Sequence, residues 1–315
     1  MRKIVLLLSI IILLPVAVFS QYYWDYGAKL GASNYLGDIG GFDKSRRNFV
    51  ADMKPQETRW DIGSYLRYKI RDPWSIEAQL SWIRISGADS LTAQYDPRRG
   101  RNLNFRNDMI QLNMLGEWTF FENPDLGNTY RYENSFSAYL ALGFSVFYQC
   151  PYAYNPNHAF GLGTWVNLHP LETEGVHYHL IQPGIPIAAG FNFTIKKVYR
   201  IGWSLTWTKT FTDYLDDVSG KYPNPDVWST MSAQQRAEAE YFSNRSTQAA
   251  AGVVNVDNYG QPGEQRGNGN NLDSFLTTTI DAGYVIHGHS NFYRRHYGGL
   301  FSKNKYKIRR RRAKF

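Results

Sequence analysis

Between Arg59 and Trp82 the chain alternates with a period of two, breaks for three residues, and alternates again. Trp60, Ile62, Leu66, Tyr68 and Ile70 share one face, interrupted by Ser64, while Arg59, Asp61, Gly63, Tyr65, Arg67 and Lys69 share the other. After Arg71, Asp72 and Pro73 the pattern restarts, with Trp74, Ile76, Ala78, Leu80 and Trp82 opposite Ser75, Glu77, Gln79 and Ser81. Successive side chains of a strand point to opposite faces, so this is a β-hairpin whose tight turn sits at the proline, where no ladder donor is needed. A half-buried strand of a soluble sandwich alternates too, but aromatics seldom bracket both of its ends. Here Trp60, Trp74 and Trp82 stand near strand ends. That placement matches the aromatic girdles flanking the apolar band of an outer-membrane β-barrel.

The alternation recurs in six further stretches. The first strand covers about Tyr22 to Asn34, the fourth Asp108 to Phe121, the fifth Ser135 to Phe147, the sixth Leu180 to Phe193, the seventh Ile201 to Thr208 and the eighth Leu272 to Ile286. Pro183 and Pro186 interrupt the sixth, and a missing ladder donor there predicts a bulge. The strand count is even, as a barrel of this kind requires. Connection lengths give an independent check, because such barrels join their strands by short periplasmic turns and long outer loops. The links after Ile70, Phe121 and Phe193 are short or moderate; those at Tyr35–Thr58, Gly87–Asn104, Tyr148–His179 and Asp213–Asn271 are long. Long and short alternate without exception, which puts both chain ends in the periplasm. The predicted fold is all-β: an eight-stranded antiparallel transmembrane β-barrel with long outer loops and a basic periplasmic tail.

Arg2 and Lys3 precede an apolar run from Ile4 to Leu14, and small residues follow at Ala17 and Ser20. This is the pattern of a secretory signal cleaved before Gln21. The expected organisation is a signal peptide at 1–20, the barrel at 21–287 and the tail at 288–315. The single cysteine, Cys150, lies far from the cleavage point, so no lipid-attachment site is expected there. Mean hydropathy is −0.46, yet aromatics make up 16% of residues, a combination that suits a barrel with polar lumen and loops. The net charge of +8 is misleading as an average: from Arg294 onward there are ten Lys/Arg and no acid, so the barrel itself is mildly acidic.

Charges of both signs fall on inward faces of neighbouring strands: Asp25, Lys29, Arg59, Asp61, Arg67, Glu77, Glu117 and Asp281. An eight-stranded barrel is just wide enough to be filled by side chains, so these are expected to pair as a plug. His158, His169, His177 and His179 crowd one long link, but their irregular spacing fixes no metal geometry. Asp213, Asp216, Asp217 and Asp226 lack the turning glycine of a calcium loop and suggest a solvated acidic loop. A Ser/His pair at the rim, such as Ser86 or Ser90 with a loop histidine, would be the candidate for a lipid enzyme, and no catalytic spacing identifies one. No cofactor is expected. Met231 to Thr247, rich in Ala, Gln and Glu after Ser229 and Ser232, predicts a short helix, followed by a flexible Gly/Asn-rich piece from Asn258 to Asn271.

Three stretches, Gly27–Gly41 (GAKLGASNYLGDIGG), Phe211–Tyr222 (FTDYLDDVSGKY) and Tyr297–Phe315 (YGGLFSKNKYKIRRRRAKF), resemble the Bacteroidota outer-membrane barrel family that includes PorG of the type IX secretion system. The resemblance implies a non-enzymatic barrel needed for protein secretion, in contact with a periplasmic ring of PorK and PorN. The tail offers anchors for such a contact, with Tyr297, Leu300 and Phe301 around Gly298-Gly299 and the basic run Arg309, Arg310, Arg311 and Arg312. Adsorption of that run to anionic lipid is the simpler alternative. Nucleic acid is not an expected partner, since an exported chain rarely meets it. The competing function is a small surface barrel acting through its outer loops as an adhesin, a defence protein or a small-solute porin.

Overall fold

The computed structural model describes residues 22–39, 53–92, 97–127, 132–156, 163–248 and 260–287. The signal-like segment 1–20 and the basic tail 288–315, with Tyr297, Leu300, Phe301 and Arg309 to Arg312, lie outside the described residues, as does His158.

Eight long strands are present among the described residues: β1 (Tyr22–Leu36), β2 (Arg59–Arg71), β3 (Trp74–Ala88), β4 (Asn104–Asn123), β5 (Ser135–Tyr148), β8 (Ile181–Ile195), β9 (Tyr199–Thr210) and β10 (Ser274–His287). Each pairs antiparallel with the next in chain order, and β10 pairs with β1, so the sheet closes into a barrel without a free edge. Two short strands that the alternation did not reveal, β6 (Pro151–Asn155) and β7 (Thr164–Asn167), form a hairpin hung on the start of β4 through Arg106–Tyr152 and Asn107–Pro151. β4 is 20 residues long, about twice what a bilayer crossing needs, and the surplus carries this hairpin above the barrel wall.

The outward faces are those expected from the alternation. Leu30, Leu142, Ile181 and Ile280 are each at least 60% exposed, an arrangement stable only in an apolar solvent. Aromatic contacts mark both rims: Trp24–Tyr68 and Tyr199–Tyr284 at the short-turn end, Trp60–Trp82 at the long-loop end. These features make the protein a small outer-membrane β-barrel.

Pro183 and Pro186 produce no bulge. β8 keeps one register against β5, from Leu142–Ile187 to Val146–Pro183, because each proline removes a single donor and the ladder continues on either side. The irregularities fall elsewhere, at Tyr22/Trp24, Lys69/Arg71 and Thr119/Phe121, all near the short-turn end.

Candidate functional site

The lumen is built around Arg67. Its Nη2 lies 2.6 Å from Glu77 Oε2 and 2.8 Å from Glu117 Oε1, while Nη1 is 3.9 Å from Asp25. The guanidinium also faces the rings of Tyr65 and Tyr139, at 5.7 and 5.3 Å from their centroids. Glycines make room for those rings: a Cβ at Gly27 or Gly283 would strike the Tyr65 ring or hydroxyl, and one at Gly190 the Tyr139 hydroxyl. Lys29 Nζ sits 3.4 Å from both Glu77 and Asp281, joining β1 to β3 and β10. Gln79 Nε2 donates to Glu77 at 2.6 Å, and Asp61 lies beside Ser81 and Thr277. Asp25, Lys29, Asp61, Arg67, Glu77, Glu117 and Asp281 are each at most 4% exposed.

Arg59 does not belong to this network. It sits at the long-loop rim, pairs with Glu57 at 3.0 Å and donates to the backbone of Gln56 and Thr58, because the strand has left the lumen by that point. Arg200, not singled out from the sequence, takes a place in the network instead, 2.6 Å from Asp25. At the short-turn end Asp25, Arg67, Lys69 and Arg200 help line a small recess of about 30 Å³, roomy enough for water.

Toward the long-loop end the lumen turns apolar. Tyr35, Ile83, Ile85, Phe105, Met109, Phe147 and Phe275 of the strands meet Ile39, Leu215 and Val218 from the loops. The signal lay in the sequence: in Trp82-Ile83-Arg84-Ile85 the apolar face changes sides, which happens where the wall stops facing lipid and starts facing a plug.

Above this plug the described parts of the four long links fold into one cap. Arg101 donates Nε and Nη2 to Asp89 at 2.8 Å each, Nη2 also to the Asp38 carbonyl at 2.9 Å, and Nη1 to the Arg266 carbonyl at 2.5 Å. Arg266 in turn reaches Glu174 Oε1 at 2.9 Å, the Asp217 carbonyl at 2.6 Å and the Ser243 carbonyl at 3.1 Å. Two buried arginines therefore tie all four links together, each satisfying backbone oxygens that loops would otherwise leave unpaired.

The acidic loop is not solvated. Asp213, Asp216 and Asp217 are buried and only Asp226 is exposed. Asp216 accepts from the Ile39 and Val218 amides at 3.2 and 3.0 Å, and Asp217 from Thr173 at 2.5 Å and Tyr178 at 2.7 Å. Burial, with Asp273 and Asp38 close by, raises the Asp216 carboxyl well above its ordinary range. Burial also raises Asp217, against the pull of Arg266. The described part of the Gly/Asn-rich stretch, 260–271, is held rather than loose: Arg266 is 3% exposed and Lys221 bridges Gln265.

The helix Ala233–Ser243 starts at Ser232, whose side chain and that of Gln235 form a capping box. Its Ala239 and Phe242 pack on Trp228, Leu171, Leu168 and Ala153, a second apolar cluster within the cap. His169 bonds the Tyr178 carbonyl at 2.9 Å and His177 bonds Glu172 at 3.0 Å, so both are engaged structurally. Among the described residues no group of three metal-ligating side chains converges. Ser86 bonds Glu57 and has no histidine partner in its hydrogen bond.

No family model and no curated protein matches the chain. Solved structures with similar strand arrangements include the attachment invasion locus protein Ail of Yersinia pestis (8% identity, 84% of this chain and 99% of that one, TM-score 0.34). The N-terminal β-barrel domain of Pseudomonas aeruginosa OprF (9%, 85% and 100%, 0.33) and the outer-membrane protein OprG of the same species (10%, 85% and 99%, 0.35) are others. Likeness at that level carries no functional argument, and the barrel rests on its own closed strand pairing.

Proposed function

We propose that this outer-membrane barrel works through its surfaces and not as a conduit, as a non-enzymatic component of the type IX protein secretion machinery that links the membrane to a periplasmic ring of the PorK/PorN kind. The observation that carries the first half is the filled lumen. Among the described residues a charge network, an apolar plug and a stapled cap stand in series along the axis. The secretion role is supported by the resemblance of Gly27–Gly41 and Phe211–Tyr222. Their described parts are one structural unit: Ile39 donates to Asp216, and Tyr35 and Ile39 pack with Leu215 and Val218. In this reading the long loops face the exterior and both chain ends the periplasm, where Tyr297, Leu300 and Phe301 anchor the tail and Arg309 to Arg312 supply charge toward an acidic partner.

Truncation after Gly288 is the test. It is expected to leave a folded, heat-modifiable barrel in the outer membrane while abolishing ring co-purification and secretion. Replacing Tyr297, Leu300 and Phe301 by Ala, with every charge retained, separates aromatic docking from simple charge. Survival of co-purification in the truncated chain would overturn the tail reading.

The ordered cap favours a second reading, a surface barrel whose loops bind an extracellular target. A barrel lacking the helix Ala233–Ser243 that still supports secretion but loses cell-surface binding would favour it.

A further inference from the structure

The outward face of β3 and β4 carries charge where the apolar band ends. Arg84 follows Trp82 by two residues, and Asp108 and Arg106 precede Ile110 by two and four, so all three share the membrane-facing side with those exposed residues. Arg84 and Asp108 are register partners, joined by two bonds of 2.5 and 2.8 Å, and the Arg84 guanidinium lies 4.0 Å from the Trp60 ring centroid. Arg106 stacks on Trp165 of β7 at 4.3 Å, with Tyr152 of β6 at 5.8 Å. Its nearest carboxylate oxygen is that same Asp108, at 3.7 Å, and its Nε makes no hydrogen bond.

One carboxylate thus serves two guanidiniums, and Arg84 has taken both of its oxygens. Arg106 is left as an incompletely neutralised cation, held flat by aromatic faces beside the Trp60–Trp82 pair that marks the membrane interface. Cationic groups facing lipid are costly unless something anionic meets them, and a guanidinium fork is shaped for the oxygens of a phosphate. Water-facing salt bridges do not need an aromatic platform; a fixed headgroup contact gains from one. Nothing in this geometry depends on the tail or on secretion.

We propose that Arg84 and Arg106, on the platform of Trp60, Trp165 and Tyr152, bind the phosphate of an anionic membrane lipid at the long-loop rim. Asp108 competes with that phosphate for both arginines and so sets its affinity.

The experiment titrates full-length protein in neutral detergent with lipid A, phosphatidylglycerol, phosphatidylcholine or inorganic phosphate, and reads bound lipid by native mass spectrometry. The two anionic lipids are expected to bind in preference to phosphatidylcholine. R106Q should weaken them about five-fold, as befits one interfacial arginine. D108N should act in the opposite direction, strengthening binding about as much, which a purely structural role for the trio does not produce. The heat-modified gel shift identifies folded protein; if R106Q does not fold, D108N and R84Q carry the test. Equal lipid retention in wild type, R84Q and D108N would overturn the proposal. So would phosphatidylcholine binding as well as the anionic lipids, or inorganic phosphate saturating the protein in the same concentration range, which would assign the site to a free anion.

Discussion

Arg67 is not exchangeable for lysine. Its Nη2 meets both Glu77 and Glu117, its Nη1 turns toward Asp25, and its plane faces Tyr65 and Tyr139; an ammonium has neither the second nitrogen nor the plane. Arg67→Ala leaves two carboxylates buried without their shared cation and is expected to cost about 3–5 kcal/mol. The midpoint of the heat-modified gel transition reads this; Arg67→Ala melting with an exposed loop control such as Gln261→Ala would count against the plug. A second residue-scale expectation concerns Asp216 in the cap. Burial holds its folded carboxyl well above the unfolded value of about 3.9, so the contribution of this one group to the cap is fully present below that pH. That contribution is lost as pH rises toward the raised value, because the unfolded chain ionises first. Asp213, Asp273 and Asp38 face the group, with Tyr35 and Arg101 nearby, and the first three oppose its charge. Asp216→Asn should flatten this dependence. Loop proteolysis measured across pH tests it, and an unchanged slope would refute it.

At the scale of elements, the strands were legible because lipid imposes the strictest alternation a chain can show. Trp74 to Trp82 and Ile110 to Phe120 point where the period of two sends them. The capped helix was legible for a local reason, Ser232 three residues before Gln235. What alternation cannot disclose is the partner of an inward residue. Asp25, Glu77 and Arg67 lie on three strands, and Arg200 joins them only once the register is fixed. The buried cap is not legible, because Asp and Gly in a long link normally signify solvent, whereas here Ile39 of the first link and Thr173 and Tyr178 of the third close over Asp216 and Asp217. Phe242 offers a test of how far cap and barrel are separable. Phe242→Ala empties a site that is 2% exposed, for which about 3–5 kcal/mol is the ordinary cost. The loss should appear as faster cleavage in the 213–271 link with the barrel's own heat transition unmoved; a lowered barrel transition would mean that the two form one cooperative unit.

For the whole molecule, orientation and closure are the quantities at stake. In a Cys150→Ser background, single cysteines at the exposed Ala237 and Gln261 should react with an impermeant reagent on intact cells, and one at Glu133 in the short turn before β5 should not. The reverse pattern would invert the molecule in the membrane. Purified protein in planar bilayers is expected to show no steady conductance, and a long-lived open channel would favour a porin. The contact between Lys29 and Asp281 adds a constraint on biogenesis. These residues are 252 positions apart, on the strands that meet last in chain order. Until β10 arrives, the ammonium of Lys29 lacks a counter-ion on that side and the seam beside β1 stands open. A chain ending before Ser274 leaves β1 and β9 without their shared neighbour, two open edges at once, and is expected to yield no heat-modifiable barrel.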